Sequence, residues 1–577
     1  MAQRPPEISV DSILQNLDLE NVADEQVRQI LVILLNRIEQ LESKVKTLEA
    51  ENQQLRDENN RLKGEQGKPN IKPNRPKSNQ KNHSSEQERK KPETHQKSSK
   101  NDQIKIDREE ILVIPKEQLP SDAEFKGYED VIVQDINLGT DNVLFRKQKY
   151  YSPTEGKTYL AEIPPGYEGQ FGPSLKALSI SLYYGGNMTE GKLLEFFSDI
   201  GISLSAGQLS NLLIKKQEDF HKQKTEILYA GLESSPWQHF DQTHARVKGQ
   251  NYNCNVVCNP LYTVYHTTQK KDRLTVLDAL LSGRERQYLL NTEAFELLEF
   301  WHVPLKIITL LKQLPQGVRL TEANFLELLS ILLPDLGVQQ RSRVLEATAI
   351  AAYHSQTEWP VVQVLVCDDA PQFKLLTTDI ALCWVHDGRH YKKLRPAVAY
   401  HQKLLDEFLD KYWDYYRQLR TYREQPTPEL AQILRKRFHE LFSTMTGYWD
   451  LDERIRRTLD KEAELLLVLE HPELPLHNNP AELGARTMVL RRNISYGTQT
   501  TEGTQAWDTF LSLVATTRKL GVSFFEYVRD TRSVKPPAYR LCKLGEIRRL
   551  ALIIEEQAIS HPLGWSWSTS LFLSPDY

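Results

Sequence analysis

Three acidic residues stand in settings that could do chemistry together. Asp241 follows SSPWQHF, a strand-like run whose last apolar residue is Phe240. Asp368 ends VVQVLVC, a near-continuous apolar run of the kind that is buried on both faces of a sheet. Glu482 opens a predicted helix in HNNPAELGARTMVLRRN. Ligands collect at the carboxyl ends of strands in open α/β sheets, and the pattern predicts both aspartates there. Carboxylates on two neighbouring strand ends and a nearby helix can hold two Mg²⁺ or Mn²⁺ ions ~3.5–4 Å apart. Hard cations suit oxygen ligands and offset the repulsion of three clustered anions. The reaction served is in-line phosphoryl displacement, with one ion at the attacking oxygen and one at the leaving oxygen.

Each acid also has a structural alternative. Asp241 can form a strand-end turn, and Asp368 with Asp369 can cap a following helix. Asn479 at the N-cap, Pro480 at N1 and Glu482 at N3 reproduce a capping arrangement. Glu482 and Arg486 also have the i,i+4 spacing of a helix ion pair.

Cations cluster beside the acids. Arg389, His390, Lys392, Lys393 and Arg395 follow the second strand, and Arg486, Arg491 and Arg492 follow Glu482. Such groups position a phosphodiester backbone, arginine through bidentate contacts. The alternative for each is a solvated or salt-bridged helix face. Cys254-x3-Cys258 and Cys383-x2-His386 have spacings that invite a zinc assignment. The first pair lies in a strand-like run, and these cysteines are read as packing residues.

Several elements must position these groups. YNCNVVCN and LYTVYHTT continue from Asp241 as further strands of an antiparallel meander. Upstream, NMTEGKLLEFFSDIG and ISLSAGQLSNLLIKK read as two helices around Gly201, the second opened by Ser205 with Gln208 at capping-box spacing. With Lys215 and Lys216 at its end, the pair fits a DNA-binding helix-turn-helix at 174–230 or a plain αα-hairpin. Residues 107–173 hold short strand-like pieces, EEILVIP, NVLFRKQKYY and KTYLAEIPP.

The N-terminal region is a leucine zipper over 24–63. Leu34, Leu41, Leu48, Leu55 and Leu62 recur every seventh residue, with Leu31, Ile38, Val45, Asn52 and Asn59 at the other seam position. The g–e pairs Arg37–Glu42, Lys44–Glu49, Glu51–Arg56 and Glu58–Lys63 are all attractive, as a parallel homodimer requires. The alternative is a solvated helix packed on its own chain. Residues 64–106 follow as a disordered basic linker, with Ile71 the one aliphatic residue of 64–103. A bZIP regulator has its basic helix before the zipper; here the basic stretch comes after it and contains prolines.

Composition sets the outer bounds. The formal net charge is -4, so any nucleic-acid contact must rest on local basic patches. The longest aliphatic run is Ile30 to Leu35, far below the ~20 residues that cross a bilayer. The start, MAQRPPEISVDS, has no apolar h-region, and five cysteines make no disulfide framework. These features predict a cytoplasmic protein without a membrane partner.

The run from Asp241 through TVYHTT, then VCDDAPQF, CWVHDGRHYKKL and HNNPAELGARTMVLRRN, resembles the IS66 family of insertion-sequence transposases. The most specific pieces are NNPAE with Arg486, and CWVH with Arg389. The resemblance implies an α/β RNase H-like DDE catalytic core with large helical insertions, preceded by a helix-turn-helix and a coiled coil. It places Asp241 and Asp368 as the two aspartates and Glu482 as the glutamate. Asp369 is adjacent to the second; Asp368 is chosen because it directly ends the apolar run. The core spans 231–500, with helical insertions at about 283–357 and 396–472 and a helical region at 501–577. Family members carry a cysteine-rich zinc ribbon, but 107–173 contains no cysteine, so a degenerate β region without zinc is expected.

The implied activity is DNA transposition: cleavage at terminal inverted repeats, then joining of the 3′-hydroxyl to target DNA, with two Mg²⁺ or Mn²⁺ ions per site. The implied setting is the bacterial nucleoid, with element-encoded accessory proteins as further partners. The competing readings are an RNase H-like nuclease without strand transfer and a non-catalytic DNA-binding protein, either a repressor or a decayed transposase.

Overall fold

Helix α1 (Glu25–Leu62) is the first α-helix among the described residues. The computed structural model describes residues 22–63, most of 105–170 and all of 171–533, with Leu19, Leu541 and Lys543 besides. The expected linker at 64–106 and the end of the 501–577 region therefore lie almost wholly or partly outside the described residues.

Helix α1 presents two faces. Leu34, Leu41, Leu48, Leu55 and Leu62 are each more than half exposed. Leu35 is buried with Leu19 and Val398 on another face. On that face Asn36 donates to the Gly447 carbonyl (2.7 Å) and accepts from the Trp449 amide (2.9 Å). Glu39 accepts the Ala397 and Val398 amides. Leu31 and Ile38 of the expected seam pack against that same cluster, so the two alternatives overlap in the first part of the helix, while the heptad leucines stay exposed.

In 107–173 the strand pair among the described residues is the antiparallel hairpin β1 (Lys149–Ser152) and β2 (Lys157–Leu160). The expected strand EEILVIP is exposed and forms no strand pairing among the described residues. Helices α2 (Pro173–Ile180), α3 (Glu190–Asp199), α4 (Ala206–Ile214) and α5 (Glu218–Glu233) follow. Thr189 caps α3, and Ser205 with Gln208 forms the expected capping box on α4. Gly201 turns between them at φ 81°, a conformation that favours glycine. Helix α4 stops at Ile214, so Lys215 and Lys216 lie beyond it rather than on it.

The central sheet begins with β3 (Trp237–Val247), β4 (Gln250–Cys258) and β5 (Thr263–Thr268), an antiparallel meander as the pattern predicts. The chain then makes α6 (Arg273–Leu280), β6 (Gln287–Leu289), α7 (Thr292–Phe300), α8 (Leu305–Leu311), β7 (Arg319–Thr321), α9 (Glu322–Leu332) and α10 (Val338–His354). Residues 283–357 are thus mostly helical, and β6 pairs with β7 inside them as a small sheet that apolar periodicity did not signal.

Strands β8 (Val364–Cys367) and β9 (Asp379–Leu382) complete the sheet in the order β5-β4-β3-β8-β9. Both run parallel to β3. All four residues of β8 are buried, which is why its sequence is continuously apolar. Then come α11 (Trp384–Lys393), α12 (Ala399–Glu424), α13 (Pro428–Phe442), α14 (Trp449–Leu459) and α15 (Glu462–Leu465). Helices α12 to α15 pack around Trp384, Tyr412, Phe438 and Phe442, an aromatic core separate from the main one.

Helices α16 (Asn479–Ser495) and α17 (Thr501–Leu520) return to the sheet, α16 against β3 and β4 and α17 against β5; α18 (Phe524–Arg532) ends the described run. Gly484 permits the close approach of α16. A Cβ there would stand 2.8 Å from Val256 Cγ1, and its carbonyl accepts the Tyr265 hydroxyl at 3.0 Å. Gly484→Ala is expected to cost about 1–3 kcal/mol in a denaturant melt, because the methyl forces the helix off the sheet. A loss below 0.5 kcal/mol would mean that the sheet yields at this point.

Candidate active site

The parallel register of β3 and β8 brings the two aspartates together. Trp237 pairs with Val364, Gln238 with Leu365 and His239 with Val366. Continued by two residues, that register sets Asp241 beside Asp368. Asp368 follows directly after β8, as expected. Asp241 does not end its strand. Strand β3 continues to Val247 because β4 pairs with it along that whole length, after β8 has stopped. The first aspartate is therefore in mid-strand, at the point where one neighbouring strand falls away.

Asp241 is largely buried, and its Oδ1 accepts the Gln242 amide at 2.7 Å. Burial pushes its carboxyl up from 3.8 to about 6 against that hydrogen bond, and the charges of Asp368 and Glu482 push the same way. Three acids from two strands and one helix thus share one electrostatic environment.

Glu482 is not a helix cap. The N-cap of α16 is Asn478, so Glu482 falls one residue past N3 and the expected capping arrangement does not form. The Asn478 side chain is used elsewhere. Its Oδ1 accepts from His239 Nδ1 at 2.9 Å, and its Nδ2 donates to the Phe240 carbonyl at 2.7 Å. Its amide meets Cys383 Sγ at 3.3 Å. One buried side chain thereby ties the start of α16 to β3, next to Asp241, and its backbone to the start of α11.

The ion partner of Glu482 is Arg389, rather than the Arg486 expected from spacing. Arg389 Nη2 donates to Glu482 Oε2 at 3.0 Å, and Nη1 meets His386 Nε2 at 3.1 Å. His386 Nδ1 lies 3.6 Å from Glu482 Oε1, too far for a hydrogen bond. Both of those atoms are buried without a hydrogen-bond partner. Burial holds His386 below its ordinary value in spite of Glu482.

Asp369 is spoken for. Lys374 Nζ stands 3.1 Å from its Oδ1, and Lys461 from the helical insertion pairs with its Oδ2. Burial pushes the Asp369 carboxyl up, but the two lysines outweigh it and hold it below the usual range.

The cations divide by exposure. His390, Lys393 and Arg395 are exposed on or just past α11, and Arg486 is exposed on α16. Lys392 is half-buried with Nζ 5.6 Å from the Trp413 ring centre. Arg492 donates to the His244 carbonyl on β3, and Lys215 lies 3.9 Å from Glu502. Arg491 is a correction. It is fully buried, its guanidinium 3.8 Å from the Tyr183 ring centre and bonded to the Tyr183 carbonyl at 2.8 Å. Five residues along a helix turn the side chain about 140° from Arg486, which takes it from the outer face into the core. It cannot meet DNA there.

Sequence reasoning did not assign His386, Asn478 or Lys461 to the site. His386 and Arg389 share a helix face at i,i+3, a signal that was present but attached to a zinc pairing. Asn478 lies inside the HNNPAE motif. Lys461 carries no local signal, because tertiary packing alone delivers it.

The donor set suits a hard cation. Three carboxylates and an unpartnered buried Glu482 oxygen meet the needs of Mg²⁺ or Mn²⁺. Cys383, His386 and Glu482 also offer ligand atoms within 4.8 Å of one another. Burial pushes the Cys383 thiol up to about 12 in the metal-free chain.

A mixed sheet carries the two aspartates and a crossing helix brings in the glutamate, and the matching family model is described as Transposase IS66 family, over residues 346–506. That span takes in Asp368, all of α11, the helical insertion and Glu482, while Asp241 lies outside it. The uncharacterized protein y4jO of Sinorhizobium fredii is 36% identical over 304 residues, covering 53% of this chain and 94% of that relative. The chain belongs to the IS66 family of transposases. Membership implies DNA binding. Among the described residues no helix is long and apolar enough to cross a membrane.

Proposed function

We propose that the protein is a DDE transposase with an RNase H-like core, in which Asp241, Asp368 and Glu482 hold two divalent ions. The observation that carries this reading is the β3–β8 register, which aligns Asp241 with Asp368 while Glu482 joins them from α16. Asp368 is the second aspartate, because both oxygens of Asp369 already pair with lysines. When bound, the ions supply activation of the attacking oxygen and charge neutralisation at the leaving oxygen.

The chain's own residues do the rest. The three carboxylates fix where charge is compensated, and the Asn478 bonds keep α16 and β3 in one alignment. Exposed His390, Lys393, Arg395 and Arg486 line up the phosphodiester backbone. Helices α3 and α4, with Lys215 and Lys216 after them, read the terminal repeats as a helix-turn-helix. Water first opens the bond at an element end and leaves a 3′-hydroxyl. That hydroxyl then attacks a phosphorus of the target backbone, and the new P–O bond forms as the bond to the target's own 3′-oxygen breaks, leaving a 3′-hydroxyl on the target strand. Residues 231–500 make up this catalytic domain, and work on the chromosome places it in the cytoplasm at the nucleoid.

The exposed seam of α1 pairs two copies as a parallel coiled coil, so that two element ends are held before cutting. Leu48→Glu is expected to convert a dimer into a monomer in light scattering. An unchanged mass would remove the zipper from the account.

The decisive experiment is Mg²⁺-dependent cleavage of DNA carrying the element's ends by wild type and by Glu482→Gln. The variant is expected to bind the ends normally and to cut them roughly 10³-fold more slowly or worse. Equal cleavage by both proteins would show the triad to be wrong. Joining of precut ends to target DNA separates a transposase from a simple nuclease.

A further inference from the structure

A divalent cation and the Arg389 guanidinium compete for the same carboxylate. Arg389 is hydrogen-bonded to Glu482 Oε2 at 3.0 Å, and its second nitrogen rests on His386 Nε2 at 3.1 Å. Because arginine can only donate, Nε2 accepts, and the His386 proton sits on Nδ1. His386 is thus a neutral rest for the guanidinium. The Glu482 side chain is 13% exposed and that of Arg389 is 42% exposed, so the pair joins a sunken carboxylate to a cation at the rim. Four residues on, along the same helix face, Lys393 is exposed, with His390 and Arg395 beside it.

We propose that Arg389 is a gate on the Glu482 carboxylate. In the DNA-free chain it neutralises Glu482. When DNA and divalent metal arrive, it gives up the carboxylate and turns outward to a backbone phosphate, continuing the exposed cations Lys393 and Arg395. This inference rests on the assignment of Asp241, Asp368 and Glu482 as metal ligands. Two physical facts drive the exchange. A guanidinium bonded to Glu482 repels an ion arriving at the same group, and the long side chain can reach a phosphate with the bidentate geometry it prefers. Binding of DNA and metal then become mutually favourable, since each releases what the other needs. Stray ions would meet a site already occupied, which keeps the nuclease quiet until an end is in place.

The test measures Mn²⁺ binding to the full-length protein without DNA, by the loss of the free-ion paramagnetic resonance signal. Arg389→Gln is expected to bind Mn²⁺ about tenfold more tightly than wild type, because the competing charge is gone. It is also expected to bind end DNA more weakly in the presence of Mn²⁺, with the salt slope reduced by about one. Arg389→Lys keeps the charge and serves if the glutamine variant folds poorly; it should bind Mn²⁺ as wild type does and lose the bidentate phosphate contact. Unchanged or weaker Mn²⁺ binding by Arg389→Gln would overturn the gate and make Arg389 a fixed positioning residue. Asp241→Asn separates the two levels of failure. If it binds Mn²⁺ as well as wild type, the metal site itself is wrong, and the gate falls with it.

Discussion

In metal-free buffer, Asp241→Asn is expected to stabilise the protein at pH 7 and to leave its stability at pH 4 nearly unchanged. The sign follows from the direction of the shift. Burial, with Asp368 and Glu482 nearby, puts the folded-state carboxyl at about 6, against 3.8 for the free group. Between those values the folded chain binds more protons at this position than the unfolded chain does. Stability therefore falls as pH rises from about 4 to about 6, and the full penalty is present above 6. At 1.36 kcal/mol per pH unit the penalty is about 3 kcal/mol, and the asparagine variant escapes it. On the proposed assignment the same change removes a metal ligand, so metal-dependent cleavage of element ends should fall by roughly 10³-fold or more. Adding Mn²⁺ should then stabilise wild type and not the variant, because a ligand of the folded state stabilises only what binds it. Denaturant melts at pH 4 and pH 7, in EDTA and in Mn²⁺, read all of these. If wild type and variant ran parallel across pH, burial would not be raising the Asp241 carboxyl.

Much of this arrangement was legible because the relevant signals are local. The continuous apolar run VVQVLVC announces a strand buried on both faces, and β8 is one. Ser205 with Gln208 announces the start of α4, which the capping box bears out. Other features depend on partners that are distant in the chain. The length of β3 past Asp241 is set by β4, whose pairing outlasts that of β8, so the run ending at Phe240 could not show it. The role of Glu482 turned on Asn478. Had Asn478 been free, Asn479 could have capped the helix; its amide and side chain are instead drawn to Cys383, His239 and the Phe240 carbonyl. Spacing on one helix suggested Arg486 as the partner of Glu482, while Arg389 arrives from α11, 93 positions away. Arg491 looked like its neighbours in composition and differs only in the helix face it occupies. Local pattern finds elements; which charges meet is settled by the packing between them.

Asp387→Ala is expected to destabilise the protein by about 3–5 kcal/mol and to reduce cleavage as a consequence. Asp387 stands on α11 between His386 and Gly388, in the aromatic core of the helical insertion. Its Oδ1 pairs with Arg454 Nη2 from α14, and its Oδ2 accepts the Thr458 hydroxyl at 3.0 Å and the Tyr412 hydroxyl at 3.2 Å. Burial pushes the Asp387 carboxyl up even though Arg454 pulls it down, so the pair does not fully recover its desolvation cost. Removing the acid alone leaves a guanidinium with its charge unmatched in a buried, aromatic surrounding, over the Tyr391 ring. That is the expensive change. Removing both charges, as Asp387→Leu with Arg454→Met, should recover most of the loss in the same denaturant titration. Asp387 also ties α14 to the helix that carries His386 and Arg389, so the single variant should loosen the hold on Glu482 while the apolar pair should restore it in part. A single variant within 1 kcal/mol of wild type would mean that Arg454 finds water or another anion, and that α11 is held by its apolar contacts alone.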